Sequence, residues 1–198
     1  DIVRKKAKGE RIAMVTAYDY PTARLVDEAG VDVVLVGDSA AMVVLGMRDT
    51  RFIGMEEMLV FCRAVSSAVR RALVVGDMPF MSYQVSTEQA VANAGRMVRE
   101  GGVDAVKLEG GADYAEVIRA IVRAGIPVMG HVGMTPQSAA SSTGFRLRGK
   151  SADEAERIIR DAEEVARAGA FSMVLEFTTA EVAEYLSRTL EIPVIGVG

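Results

Sequence analysis

The stretch AVKLEGG, residues 105–111, sets two charged residues, Lys107 and Glu109, inside an apolar run that closes on a glycine pair. Read as a strand it alternates, so Lys107 and Glu109 share one face while Val106 and Leu108 share the other. The apolar face is suited to packing against helices, which leaves the charged face pointing to an interior.

The same ending recurs along the chain. VDVVLVGDS (31–39) stops on Asp38-Ser39, LVVGD (73–77) on Asp77, PVMGH (127–131) on His131 and SMVLE (172–176) on Glu176. By parity Glu176 goes with Val174, His131 with Met129, Asp77 with Val75 and Asp38 with Val36. A buried parallel strand needs the apolar run and has no need of the acid. An ionised carboxylate at the edge of a core costs several kcal/mol unless something cationic or hydrogen-bonding meets it.

Seven apolar runs read as strands: 12–16, 31–36, 72–75, 105–108, 127–129, 172–175 and 193–197. Between them the 3.6-residue pattern predicts helices over 21–29, 55–70, 87–100, 114–123, 151–168 and 180–188. Gly30 and Gly101-Gly102 read as helix ends, Ser86 as a cap, and the start at Ser151 resembles a capping box. The connection 40–54 is long enough to be a functional loop.

Alternating β and α units predict a parallel sheet, either a (β/α)8 barrel or an open doubly wound sheet. Strands lie ~4.8 Å apart, so ionisable groups on five strands of an open sheet would spread over roughly 19 Å and miss a common ligand. A closed barrel brings them together at its C-terminal mouth. The fold expected is therefore a TIM barrel, α/β in class and lacking its last β–α unit. It is expected to form one domain over 1–198, with a C-terminal part that is missing or lies outside the structure.

Composition narrows the function classes. Half of the 198 residues are apolar and the formal net charge is −4, which argues against a nucleic-acid or anionic-membrane surface. The basic cluster Arg4-Lys5-Lys6 with Lys8 reads as a solvated terminal helix. With Cys62 as the single cysteine there is neither an intrachain disulfide nor a multi-cysteine metal site. No apolar run approaches the ~20 residues of a membrane helix and the start lacks a signal-peptide plan, so the expectation is a soluble cytoplasmic protein. The chain starts on Asp1 rather than Met, so either end is open to continuation.

The residue types suggest a chemistry. Asp38, Asp77 and Glu109 offer hard oxygen ligands with one imidazole in reach, which suits Mg²⁺ over Zn²⁺. Such an ion keeps open positions where an α-keto acid can chelate, acidifying the neighbouring C–H and stabilising the enolate. Glu176, on a separate strand, is the expected base. Lys107 would offset charge on the enolate oxygen or the carboxylate, and Ser39 would donate a hydrogen bond to that carboxylate. Asp38, Asp77 and His131 complete the expected substrate contacts. Each residue has a bland alternative: Asp38 or Asp77 as turn residues, Lys107–Glu109 as a structural ion pair, His131 as a satisfied core residue. Met42, Met47, Met55 and Met58 read as packing, and the Glu-rich helix 154–164 as a solvated face. Gly196-Val197-Gly198 is a weak phosphate-cradle signal.

The segments TAYDYPTARLVDEAGVDVVLVGDS (16–39), VVGDMPFMSY (74–83), VKLEGG (106–111), GHVGMTPQS (130–138), VLEF (174–177) and IPVIGVG (192–198) resemble, in order, the motifs of the ketopantoate hydroxymethyltransferase family. The resemblance implies a barrel of the phosphoenolpyruvate/pyruvate type, assembled into a homo-oligomer, commonly a decamer. It implies transfer of a one-carbon unit from 5,10-methylenetetrahydrofolate to 3-methyl-2-oxobutanoate, with Mg²⁺ holding the keto acid. By motif, Asp38 and Asp77 match metal ligands and Glu109 the acid on the metal's side. Ser39 and Lys107 match keto-acid contacts, and Glu176 the proton acceptor.

Departures fall in the loops. Ala40-Ala41 stands for a usual Leu-Gly, Arg51-Phe52-Ile53-Gly54 covers a Leu-Pro-Val segment, one glycine replaces a pair near Thr143-Gly144, and Cys62 replaces a common His. The family also continues past IPVIGVG through an eighth β–α unit, so the chain is expected to be part of a longer protein. Two rivals remain. One is a Mg²⁺ lyase or mutase of the phosphoenolpyruvate mutase and isocitrate lyase type, whose Lys-Cys-Gly loop motif this sequence lacks. The other is a catalytically silent oligomer subunit.

Overall fold

A computed structural model describes residues 2–139 and 146–198. The departure noted near Thr143-Gly144 lies outside them. The described chain runs α1 (Ile2–Ala7), β1 (Met14–Thr16), α2 (Tyr20–Glu28), β2 (Val33–Val36), α3 (Ala40–Val43), a 3-10 turn (Thr50–Phe52) and α4 (Met55–Ala68). It continues through β3 (Leu73–Asp77), α5 (Thr87–Gly101), β4 (Ala105–Glu109), a second 3-10 turn (Ala112–Tyr114) and α6 (Ala115–Arg123). The rest is β5 (Val128–Gly133), α7 (Pro136–Ala139), α8 (Ala152–Arg167), β6 (Ser172–Glu176), α9 (Ala180–Thr189) and β7 (Val194–Val197).

All strand pairs are parallel and follow chain order from β1 to β7. Alternation sorts each strand into two layers. Val34, Val36, Val74, Val106, Leu108, Met173 and Leu175 pack with helix residues such as Met58, Cys62, Val65 and Ile118. Val33, Val75, Ala105, Met129, Val174 and Ile195 form a second, interior cluster. One cluster fed by six strands is what a curled sheet produces and a flat one cannot, since flat neighbours diverge by about 4.8 Å each. Residues of β1 and β7 also line the same cavity, so the sheet is a nearly closed barrel.

Local signals set the helix ends. Asp19 caps α2 by accepting from Thr22 N at 2.8 Å, Ser86 caps α5 from Gln89 N at 3.2 Å and Ser151 caps α8 from Glu154 N at 3.3 Å. Glu154 turns its carboxylate to Lys150 N instead of back to Ser151, so the capping box is half formed. Gly102 takes the left-handed conformation that ends α5 (φ 74°). The basic opening is less solvated than its charge suggests. Ile2 enters the interior cluster, Lys5 pairs with Asp32 at 2.6 Å and Lys6 donates to Ser187 O at 2.6 Å. Helix α1 therefore plugs the N-terminal end of the barrel. None of the described helices is long and apolar enough to cross a membrane.

Candidate active site

Parallel register brings the charged strand ends side by side. Asp77 is paired with Lys107, and Glu109 with His131, on adjacent strands. Lys107 Nζ lies 2.8 Å from Asp77 Oδ1 and 3.2 Å from His131 Nδ1. His131 Nε2 stands 3.0 Å from Met134 O and 3.3 Å from Glu176 Oε2. Both of those partners are acceptors and the ammonium can only donate, so the ring proton is assigned to Nε2. His131 thus links the lysine to Glu176, with both its nitrogens engaged by the protein.

Asp38 reaches the site by a different route from the one parity suggests. Val36 packs outward against the helices, whereas Val33 and Leu35 face the barrel interior. The strand ends at Val36, and the Gly37-Asp38 turn, not alternation, swings the carboxylate inward. Strand parity fails once the extended backbone has ended. Asp38 is thus a turn residue, as its bland reading has it, and its side chain also lines the mouth. Ser39 opens α3 without a side-chain cap bond, and its hydroxyl meets Tyr18 OH at 2.8 Å instead.

All seven residues picked out by the strand ends, Asp38, Ser39, Asp77, Lys107, Glu109, His131 and Glu176, line one cavity of about 450 Å³ at the C-terminal mouth. They differ in depth. The side chains of Asp77, Lys107, Glu109 and His131 are 2–4 % exposed, while that of Glu176 is 23 % exposed. The base candidate therefore stands at the rim and the acidic trio below it.

Electrostatics follow from that depth. Burial, reinforced by the charge of Asp77, pushes the Asp38 carboxyl up to about 7. Burial raises Glu109 to about 8, with Asp77 and Asp38 adding repulsion against the relief given by Lys107. Burial alone would lower Lys107, but the charges of Asp77, Glu109 and Asp38 outweigh it and hold the ammonium protonated. Burial, and then Lys107, keeps His131 below its ordinary range and so neutral. Three carboxylates thus face one ammonium.

Residues that strand-end reading missed hold this arrangement. Gln137, 2 % exposed on α7, donates from Nε2 to Asp38 Oδ2 at 2.9 Å and Met78 O at 3.0 Å, and from its backbone N to Glu109 Oε2 at 3.0 Å. Tyr83 OH accepts from Glu109 N and stands 2.9 Å from Gln137 Oε1. Thr50, from the long 40–54 connection, hydrogen-bonds Asp38. Only Thr135-Pro136 gave a sequence signal here, because Thr before Pro is a helix start and places Gln137 in its first turn. The departing residues Ala40 and Ala41 are fully buried at the start of α3, where larger side chains would need room.

Whether the trio suits a hard divalent ion can be tested on its charge and donors. Fully ionised, three buried carboxylates against one lysine leave two excess negative charges, the amount such an ion brings. Asp77 Oδ1 is buried and its one close polar partner is the Lys107 ammonium, with which it forms an ion pair. Among the described residues no three His, Cys, Asp or Glu side chains stand in ligand geometry. Lys107 and Gln137 are interposed among the three acids instead. In donor type and charge the residues fit Mg²⁺.

A larger cavity, about 770 Å³, opens at the opposite end beside Ile2, Asp32, Arg70, Arg71 and Asp104. Its carboxylates are already bonded: Asp32 takes Ala13 N and Lys5, and Asp104 takes Val74 N. The converging ionisable groups are at the mouth.

This parallel barrel with an acidic, lysine-balanced mouth defines a (β/α)-barrel protein whose site lies at the C-terminal ends of its strands. The family model described as Ketopantoate hydroxymethyltransferase matches residues 1–198, and the chain belongs to that family. A 3-methyl-2-oxobutanoate hydroxymethyltransferase of Hyperthermus butylicus is 58% identical over 198 residues, 100% of this chain and 68% of the relative. The protein of that name from Staphylothermus marinus is 54% identical over 198 residues, 100% of this chain and 72% of its own length. Among solved structures, the phosphoenolpyruvate phosphomutase of Streptomyces platensis subsp. rosaceus superposes with TM-score 0.72 at 18% identity, covering 98% of this chain and 71% of that one. A phosphonopyruvate hydrolase complexed with oxalate and Mg²⁺ gives TM-score 0.69 at 14% identity, covering 99% and 79%. These distant likenesses establish the fold.

Proposed function

We propose that this chain transfers a hydroxymethyl group from 5,10-methylenetetrahydrofolate to 3-methyl-2-oxobutanoate, giving 2-dehydropantoate for pantothenate biosynthesis. Relatives more than half identical over the full chain bear the name of that reaction. The observation that carries the reading is the separation of a buried, over-charged acidic trio from a rim-placed Glu176 held by His131.

Asp38, Asp77 and Glu109 would hold a Mg²⁺ ion, which when bound polarises the keto carbonyl and acidifies the C–H beside it. A distant structural neighbour is a complex with Mg²⁺ and oxalate, whose paired oxygens resemble the adjacent keto and carboxylate oxygens of a keto acid. Glu176 takes the C3 proton. Its carboxylate is anchored by the His131 Nε2–H and remains open to the cavity. Lys107 stabilises negative charge developing on the substrate oxygen, and Ser39, steadied by Tyr18, donates to the substrate carboxylate. Asp38 and Asp77 border the same substrate oxygens, and His131 acts by fixing Glu176 and Lys107. The electron pair left at C3 forms the new C–C bond to the one-carbon unit. That unit's bonds to folate nitrogen break, the nitrogens take up protons, and water supplies the hydroxyl oxygen.

The family resemblance also implies a homo-oligomer, commonly a decamer. The run Met42 to Leu45, 41–67 % exposed, gives such an assembly apolar surface to cover. The lyase or mutase alternative rests on fold likeness alone, and this sequence lacks the Lys-Cys-Gly loop motif of those enzymes. The deciding experiment is Mg²⁺-dependent exchange of the C3 proton of 3-methyl-2-oxobutanoate followed by NMR. Glu176→Gln is expected to slow exchange by about 10²-fold or more. Wild-type exchange in the variant overturns the base assignment, and a wild-type protein that binds no keto acid with Mg²⁺ favours a silent subunit.

A further inference from the structure

Gln137 is a buried side chain that neither the strand-end pattern nor the proposed chemistry uses, and its contacts are unusually directed. Three successive strand ends meet on this one residue. Its Nε2 donates to Asp38 Oδ2, beyond β2, and to Met78 O, at the end of β3, while its backbone N donates to Glu109 Oε2 on β4. Asp38 and Glu109 come from strands that are not neighbours, because β3 lies between them. Without a bridging donor, two partly like-charged acids on either side of Asp77 would swing apart into whatever contacts the mouth offered.

The orientation of the amide is fixed on both sides. Two acceptors face Nε2, and two donors, Tyr83 OH at 2.9 Å and Gln84 Nε2 at 3.3 Å, face Oε1. Tyr83 is itself pinned by Glu109 N and by edge-to-face packing on Tyr114, with ring centroids 5.3 Å apart. A flipped amide would set Oε1 against Asp38 Oδ2 and Met78 O, acceptor against acceptor, so the network favours the arrangement seen. It binds one oxygen of each carboxylate and thereby sets the direction of the other.

We infer that Gln137 is a positioning residue that aims the carboxylates of Asp38 and Glu109 at a shared hard divalent cation, with Tyr83 locking its amide. The inference rests on the proposed Mg²⁺-dependent function and deepens it. Hydrogen-bonded partners of ligating carboxylates typically change metal affinity 10–100-fold when removed. Gln137→Met keeps side-chain length and the backbone N–H to Glu109 while deleting the amide's contacts to Asp38, Met78, Tyr83 and Gln84.

Mg²⁺ binding to the full chain is measured by calorimetry in the presence of 3-methyl-2-oxobutanoate, with C3-proton exchange as a second readout. Gln137→Met is expected to weaken Mg²⁺ binding by about 10–100-fold and to recover exchange as Mg²⁺ is raised, a rescue that general loosening of the fold would not give. Tyr83→Phe is expected to move the same affinity in the same direction by less, and it decides the matter should Gln137→Met fail to fold. Wild-type affinity in the folded variants, or an exchange defect that persists at saturating Mg²⁺, overturns the inference alone. A wild-type protein that binds no Mg²⁺ with the keto acid overturns the proposed function and this inference with it.

Discussion

The two ends of the barrel treat the same side chain in opposite ways. At the N-terminal end Asp27 is buried, yet three backbone N–H groups, of Arg70, Arg71 and Ala72, meet its carboxylate at 2.8–3.2 Å. Burial there would raise its pKa, but those bonds outweigh it and hold the group below the ordinary range. At the mouth Asp38 has a side-chain amide, a hydroxyl and an acidic neighbour, and its pKa goes up to about 7. Oriented backbone donors make a carboxylate structural; a shortage of them, with a second acid nearby, disfavours its charged form and leaves it with unused binding capacity. The contrast separates acids that hold the barrel together from acids that act.

The harshest way to break the contrast is to remove the cation at the mouth. Lys107→Met leaves Asp38, Asp77 and Glu109 facing one another out of solvent. The expected cost is about 3–5 kcal/mol in denaturant unfolding at pH 8, with exchange activity abolished. The loss should shrink towards pH 5 as the acids take up protons. An equal loss at both pH values would mean that Lys107 serves packing instead of charge.

The paired substitutions Asp38→Asn and Asp27→Asn sharpen it. Asp38 and Glu109 have folded-state pKa values above their unfolded ones, so their contribution favours the fold below about pH 4 and is lost as pH rises towards 7–8. Asp38→Asn should therefore stabilise the chelator-treated protein by roughly 1–3 kcal/mol at pH 8 while abolishing Mg²⁺ binding. Asp27, with a lowered pKa, stabilises above its unfolded value near 4 and loses that contribution as pH falls below it. Asp27→Asn should cost about 1–2 kcal/mol at pH 7 and leave Mg²⁺ binding intact. Unfolding curves at pH 3, 5 and 8 for both variants check the signs; the same sign in both would dissolve the distinction.

Much of this was legible in the sequence, for a physical reason. Strand alternation is rigid, so once AVKLEGG is read as a strand the inward faces of β3, β4, β5 and β6 follow, and with them Asp77, Lys107, Glu109, His131 and Glu176. The period fails where backbone stops being regular. Asp38 enters from a turn, and its partner in parity, Val36, faces the helices. Strand β5 runs on to Gly133 because the ladder to β6 continues past the apolar run, where Gly130, His131 and Gly133 had ended the hydrophobic signal. Gln137, Tyr83, Tyr18 and Thr50 come from loops and short turns, whose side-chain directions depend on tertiary contacts that no local periodicity encodes. The loops that run up to the rim were therefore the least readable layer.

The smallest effect tests that rim, where the mouth uses an uncharged contact in place of charge. Tyr18 OH and Ser39 Oγ lie 2.8 Å apart, and Ser39 makes no helix-cap bond that would hold its hydroxyl otherwise. Tyr18→Phe removes one hydrogen bond and preserves the ring, so a net loss of about 0.5–1.5 kcal/mol is expected, or roughly 2–10-fold. Because Ser39 is assigned to the substrate carboxylate, the loss should fall on KM for the keto acid and leave both the exchange rate at saturation and the Mg²⁺ affinity unchanged. The opposite split, with kcat falling and KM constant, would move Ser39 from carboxylate binding to the reacting oxygen. It would also extend the acting region of the mouth from its buried acids out to the rim.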